Sequence, residues 1–216
     1  EAAPAQAALE CITLLKNEND VMPIASSANI FVSGPTANSL NALNRGWSGT
    51  WQGKNPKYNN PGRKTAVEAL RDEFGLNRIQ FEELESMDFT EQDIRRVSSA
   101  VRRSRPDVAV LFLGEMPYTE FMGNIGDLRL ADNQLDLVRA VRATGTPVVA
   151  VFVEGRPRTF SQVEPDLDGV VMAYLAGDFA GPAIAKVLMG SHNPSGKLPF
   201  SWPREASSHT TYDRKH

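Results

Sequence analysis

Four stretches of the 216-residue chain are apolar without alternation and rich in β-branched residues: 29–33 (NIFVS), 107–113 (DVAVLFL), 147–153 (PVVAVFV) and 169–174 (GVVMAY). A strand with one face in water alternates, whereas runs of this kind belong to the centre of a parallel sheet covered on both faces. A fifth strand is predicted at 78–82 (RIQFE). Between these runs the pattern changes to a helical period. Ala7, Ala8, Cys11, Ile12 and Leu15 share one helix face, and Val67, Leu70 and Phe74 share another, after the capping-box sequence Thr65-Ala66-Val67-Glu68 and before a stop at Gly75. Ile94, Val97 and Val101 mark a third stripe. Asp132 is predicted to cap a helix carrying Leu135, Val138 and Val141 to a Gly145 stop, and a short helix over 182–188 is closed by Gly190. Strands separated by helices need right-handed crossovers. The predicted fold is therefore a three-layer α/β sandwich, one domain over 1–216, whose mostly parallel sheet has about five to six strands.

Composition narrows the classes of function. Hydrophobic residues make up 41%, enough for a core, and 23 Lys plus Arg against 26 Asp plus Glu leave a formal charge of -3. With no basic run, nucleic acid is not an expected partner. Apolar runs reach only about six to eight residues, so no membrane span is expected, and EAAPAQAALE has the features of neither a signal nor a transit peptide. The chain opens at Glu1 without an initiator methionine, which suggests a piece of a longer protein entered from an interdomain linker. The single cysteine, Cys11, reads as core packing. His192, His209 and His216 are too scattered for ligand spacing, so a surface role and no metal are expected. No GxSxG elbow, Walker loop or strand-linked GxGxxG is present, which lowers serine-hydrolase, NTPase and dinucleotide readings.

In open parallel sheets ligands bind beyond the carboxyl ends of the strands. The loops predicted there hold Gly46-Trp47-Ser48-Gly49-Thr50-Trp51-Gln52-Gly53, Gly114-Glu115-Met116-Pro117-Tyr118-Thr119-Glu120 and Glu154-Gly155-Arg156-Pro157, with Asp178 after the fourth strand. Tryptophan faces stack on the apolar face of a pyranose, and charged groups bind its hydroxyls, so this rim suits a sugar. Each residue also has a plainer reading. Trp47 and Trp51 fit ordinary packing, Glu115 fits a carboxylate tying down loop amides, and Arg156 fits a partner for Asp127 or Glu154. Glu120 lies in an aperiodic stretch with Gly123 and Gly126, where a loop carboxylate is either solvated or a general acid with a raised pKa on a closing segment.

Taken in order, LLKNENDVMPI, GWSGTWQG, GEMPYTEFMGNIGDLRLADNQ, EGRP, YLAGDFAGPAIAKVLMG and NPSGKLPFSWPR resemble the second, α/β sandwich domain of glycoside hydrolase family 3, in its β-glucosidase and exo-β-glucanase branch. The resemblance covers about residues 7–204. It implies a retaining enzyme in which an N-terminal barrel, absent from this chain, supplies an Asp nucleophile and the second domain supplies the acid/base. Glu120, from its place in PYTEFMGN, matches that acid/base. Trp51 matches the aromatic lining the aglycone side, with Trp47 as its buried support, and Glu115, Asp127 and Arg156 match positions that shape the loop and rim. The expected ligand is a β-glucoside or β-glucan oligosaccharide, with no cofactor; the expected location of the parent is periplasmic or secreted, and the isolated piece is expected to be inactive. Many relatives carry GDRSDL where this chain has Gly123-Asn124-Ile125-Gly126-Asp127-Leu128. A free-standing sugar-binding domain and a flavodoxin-like nucleotide binder are the competing readings, the latter weakened by the missing phosphate loop.

Overall fold

In the computed structural model, which describes residues 2–206, six strands form one sheet: β1 (Thr13–Asn17), β2 (Ile30–Ser33), β3 (Ile79–Glu82), β4 (Val108–Gly114), β5 (Val148–Val153) and β6 (Gly169–Met172). Their spatial order is β1-β6-β5-β4-β2-β3. All neighbours run parallel except β1, which pairs antiparallel with β6 at one edge. The pleat sends alternate residues to opposite faces. Val108, Val110 and Phe112 therefore join one core with α3 (Ala66–Phe74) and α6 (Ala180–Met189), and Ala109, Leu111 and Leu113 join a second with α4 (Glu91–Ser104) and α5 (Asp132–Arg142). Both faces being covered, every residue of β4 and β5 is buried, which is why those strands read as unbroken apolar runs.

The capping box at Thr65 and Glu68 forms as predicted, each side chain accepting from the other's backbone N–H. Three details differ from the periodicity. The helix α1 (Ala2–Cys11) stops before Ile12, and Leu15 lies in β1 instead of on the helix face. Ile12 to Leu15 suit either period, and the unpaired edge of β6 decides between them by offering Met172 and Val171 as backbone partners for Thr13 and Leu14. Asp132 is the first helical residue of α5 and not its cap, a place that favours a carboxylate electrostatically. A four-residue helix, α2 (Leu40–Leu43), not foreseen, follows β2.

Cys11 is half-buried, its thiol donating to the Ala8 carbonyl oxygen at 3.2 Å, and burial pushes its pKa up. It packs as expected.

Candidate active-site rim

Because β2, β4, β5 and β6 run parallel, the segments leaving their carboxyl ends share one rim. The chain leaves β4 at Gly114, where φ is +130° and a Cβ would stand 2.1 Å from the Val153 carbonyl oxygen, so no side chain fits. Gln134 on α5, almost wholly buried, grips this residue: Oε1 accepts from the Gly114 N–H at 2.8 Å and Nε2 donates to its carbonyl oxygen at 2.9 Å. Glu115 is thereby fixed at the rim. Its two oxygens lie 3.1 Å from Arg156 Nε and 3.0 Å from Arg158 Nε, in a cluster whose three side chains are only 11%, 18% and 16% exposed.

The two arginines continue outward to the backbone. Arg156 Nη1 donates to the Gly123 carbonyl oxygen at 2.7 Å, and Arg158 Nη1 donates to that of Asp127 at 2.8 Å. Arg156 also lies 3.9 Å above the Tyr118 ring, and burial together with the Glu115 carboxylate pushes the Tyr118 phenol up to about 12, so it stays protonated. A Cβ on Gly123 would stand 2.3 Å from the same ring; only glycine lets the loop lie this close. On the other flank Gln52 Nε2 donates to the Thr119 carbonyl oxygen at 3.2 Å, and the Thr119 N–H returns to Gln52 Oε1 at 3.1 Å. The segment holding Gln52 is in turn tied to buried Asn41 on α2, whose Nδ2 donates to the Gly53 carbonyl oxygen at 3.1 Å.

Between these anchors sits Glu120, the first residue of a short 3-10 turn (Glu120–Gly123). Its φ of +53° is in the left-handed region, which costs a non-glycine residue about 1–2 kcal/mol and persists only where surrounding contacts impose it. The side chain is exposed and, among the described residues, makes no hydrogen bond or ion pair. Phe121, Met122 and Ile125 on the same loop are exposed, and the Trp51 ring lies 5.5 Å from that of Phe121 at 58°. An unpaired carboxylate thus stands beside a band of aromatic surface.

The profile of the glycosyl hydrolase family 3 C-terminal domain matches residues 12–216. The chain belongs to this family. It is 36% identical over 213 residues to a lysosomal beta glucosidase of Dictyostelium discoideum, covering 93% of this chain and 25% of that protein. A periplasmic beta-glucosidase of Salmonella typhimurium is 28% identical, with 96% and 29% covered. The solved beta-glucosidase of Listeria innocua in complex with gluconolactone superposes with a TM-score of 0.82 at 30% identity, over 95% of this chain and 27% of that one. The same enzyme has been solved with glucose and, as a mutant, with laminaribiose. The chain therefore spans about a quarter of the length of the relatives it matches.

Several of the sequence readings take a different form in the structure. Trp47 is 67% exposed against 40% for Trp51, so this domain by itself does not bury it as a support; its φ is +67°. Glu115 binds two guanidiniums instead of loop amides, and Arg156 pairs with Glu115, not with Asp127 or Glu154. Asp127 turns to Arg129: its carboxylate accepts from the Arg129 backbone and guanidinium, which holds it below the usual carboxylate range and keeps it ionised. Only its carbonyl belongs to the loop anchor. Asp178, on the loop after β6, lies 3.8 Å from Arg63. His192 is partly exposed, with its Nε2 shielded; His209 and His216 lie outside the described residues.

Glu154 is the unexpected member of the cluster. Wholly buried just past β5, it accepts from the Arg158 backbone N–H at 3.1 Å, and burial, reinforced by the Glu115 carboxylate, raises its pKa well above the ordinary value despite both arginines. In the unfolded chain the same carboxyl ionises near an ordinary value of about 4.3, so above that pH the folded state holds a proton that the unfolded state has lost. Stability contributed at Glu154 is present below that value and is lost as pH rises toward the folded pKa. Glu154→Gln has no such dependence. Its melting temperature is expected to gain on wild type between about pH 5 and pH 8, measured by thermal unfolding in matched buffers; a difference independent of pH would show that Glu154 is ionised in the fold.

Proposed function

We propose that this chain is the acid/base-carrying domain of a retaining, exo-acting β-glucosidase, and that Glu120 is the acid/base. In glycosylation Glu120 protonates the leaving oxygen while an aspartate attacks the anomeric carbon; in deglycosylation Glu120 takes the proton of the water that releases the sugar. Retention requires two carboxyls roughly 5 Å apart across the scissile bond. Around Glu120, Glu115 and Glu154 are screened from substrate and Asp127 is paired. The second carboxyl is therefore assigned to the barrel that precedes this domain in the parent enzyme, and the isolated chain is inactive.

The observation that carries this reading is the exposed, unpaired Glu120, held on a left-handed backbone by anchors on both sides and flanked by Trp51 and Phe121. Tryptophan and phenylalanine faces suit stacking on the aglycone side of a β-glucoside or β-glucan oligosaccharide. Two carboxyls and water suffice for the reaction, so no cofactor is assigned. Among the described residues no helix is long and apolar enough to cross a membrane, and the Salmonella relative is named periplasmic; we assign the parent to the periplasm or the exterior.

The test compares the isolated chain with the full-length enzyme on 4-nitrophenyl β-glucoside. The full-length enzyme is expected to turn it over and the isolated chain to remain at the buffer rate. Turnover by the chain alone would refute the shared-site reading, and a full-length enzyme inert on β-glucosides but active on another glycoside would move only the sugar assignment.

A further inference from the structure

We propose that Glu154, through its hydrogen bond to the Arg158 backbone, positions the Glu120 loop. The inference rests on the reading of Glu120 as the acid/base, and it adds a positioning residue that touches neither substrate nor Glu120.

The argument follows the connections outward. Glu154 Oε1 accepts from the Arg158 N–H, which also approaches the Arg156 carbonyl oxygen at 3.0 Å, so this one contact fixes the turn that aims both guanidiniums. From that turn, Arg156 and Arg158 straddle Glu115 and reach the carbonyls of Gly123 and Asp127, the two points by which the segment after Glu120 is held. The second oxygen of Glu154 is buried without a hydrogen-bond partner. A buried carboxylate normally takes a guanidinium for itself. Here both guanidiniums lie against Glu115, the arrangement expected of a Glu154 that carries no charge and competes for neither. The charged groups that face it are Glu115 from the end of β4 and Arg156 and Arg158 from its own loop. Were it ionised, it would draw the arginines inward, and the two loop carbonyls would lose their donors.

Two variants of the full-length enzyme separate this role from mere packing. Glu154→Leu keeps the bulk and removes the acceptor; Glu154→Gln keeps the shape, the acceptor and the neutrality. In E154L, hydrogen exchange over 118–128 is expected to quicken about tenfold, the factor by which losing one buried hydrogen bond shifts a local opening equilibrium, while E154Q restores wild-type exchange. For phenyl β-glucoside, whose poor leaving group needs a well-placed acid, kcat/KM of E154L is expected to fall by about 10²-fold. For 2,4-dinitrophenyl β-glucoside, which leaves with little acid help, it should fall far less, and E154Q should restore both. Unchanged exchange in E154L, or equal losses on the two substrates, would overturn the proposal. If E154L does not fold, E154D, whose shorter carboxyl withdraws from the Arg158 amide, is read by the same two measurements. A wild-type enzyme that hydrolyses neither glucoside would move only the sugar assignment, and the exchange data would still decide whether Glu154 holds the loop.

Discussion

Glu120→Ala in the full-length enzyme is expected to lower kcat on an activated aryl β-glucoside by about 10²–10⁴-fold, the usual worth of a positioned acid/base. With such a leaving group the first step needs little acid help, so the aspartyl glycosyl-enzyme forms and then waits for a water that nothing deprotonates. Azide needs no base. It attacks the anomeric carbon directly, the ester bond to aspartate breaks, and β-glucosyl azide appears with kcat restored toward wild type. Near-wild-type kcat without azide would place the acid/base elsewhere. The sequence alone would then have made Glu115 the next candidate; the structure makes it a poor one, because both of its oxygens are occupied by arginines and its side chain is only 11% exposed.

The scaffold of this site was legible in the chain because burial on both faces leaves a strong local mark. The unbroken runs of β4 and β5, and the Thr65 capping box, are written in consecutive residues. The edge strand β1 was not legible, since its choice between helix and strand is made by β6, more than 150 residues away. The site divides along the same line. Glu120 and Trp51 sit in motifs whose family resemblance placed them on one rim, and the structure brings the Trp51 ring to the residue beside Glu120. Of the residues that hold the loop, Gln52, Gln134 and Arg158 act on backbone groups of distant segments, and Glu154 acts on an amide of the turn that aims Arg158. A glutamine that will clamp Thr119 looks in sequence like any surface glutamine. The hint lay in density: two arginines and a glutamate within 154–158, directly after a wholly apolar strand, are more charge than a turn needs for solubility.

Glu115→Ala is expected to be the most destabilising single change at the rim. Removing one partner of a buried ion pair costs about 3–5 kcal/mol because the remaining charge is left without compensation, and here two guanidiniums are left. For a domain of this size each kcal/mol corresponds to about 2–4 °C, so the melting temperature of the chain should fall by about 10 °C. Asp127→Ala, which removes an exposed carboxylate paired with an exposed arginine, should leave it nearly unchanged. The contrast matters because both residues border the same loop. If it is Glu115 that carries the load, E115A should also quicken protease cleavage within 118–128, since Arg156 and Arg158 lose the anchor that directs them to Gly123 and Asp127. Replacing Glu115, Arg156 and Arg158 together with methionine should recover much of the lost stability, as apolar substitution of buried ion clusters does. It should not recover loop protection, because no methionine donates to a carbonyl. A triple variant that regained both would mean the loop is held by packing around Tyr118 alone; one that regained stability while the loop stayed cleavable would show that the charges are kept to position Glu120, not to hold the fold together.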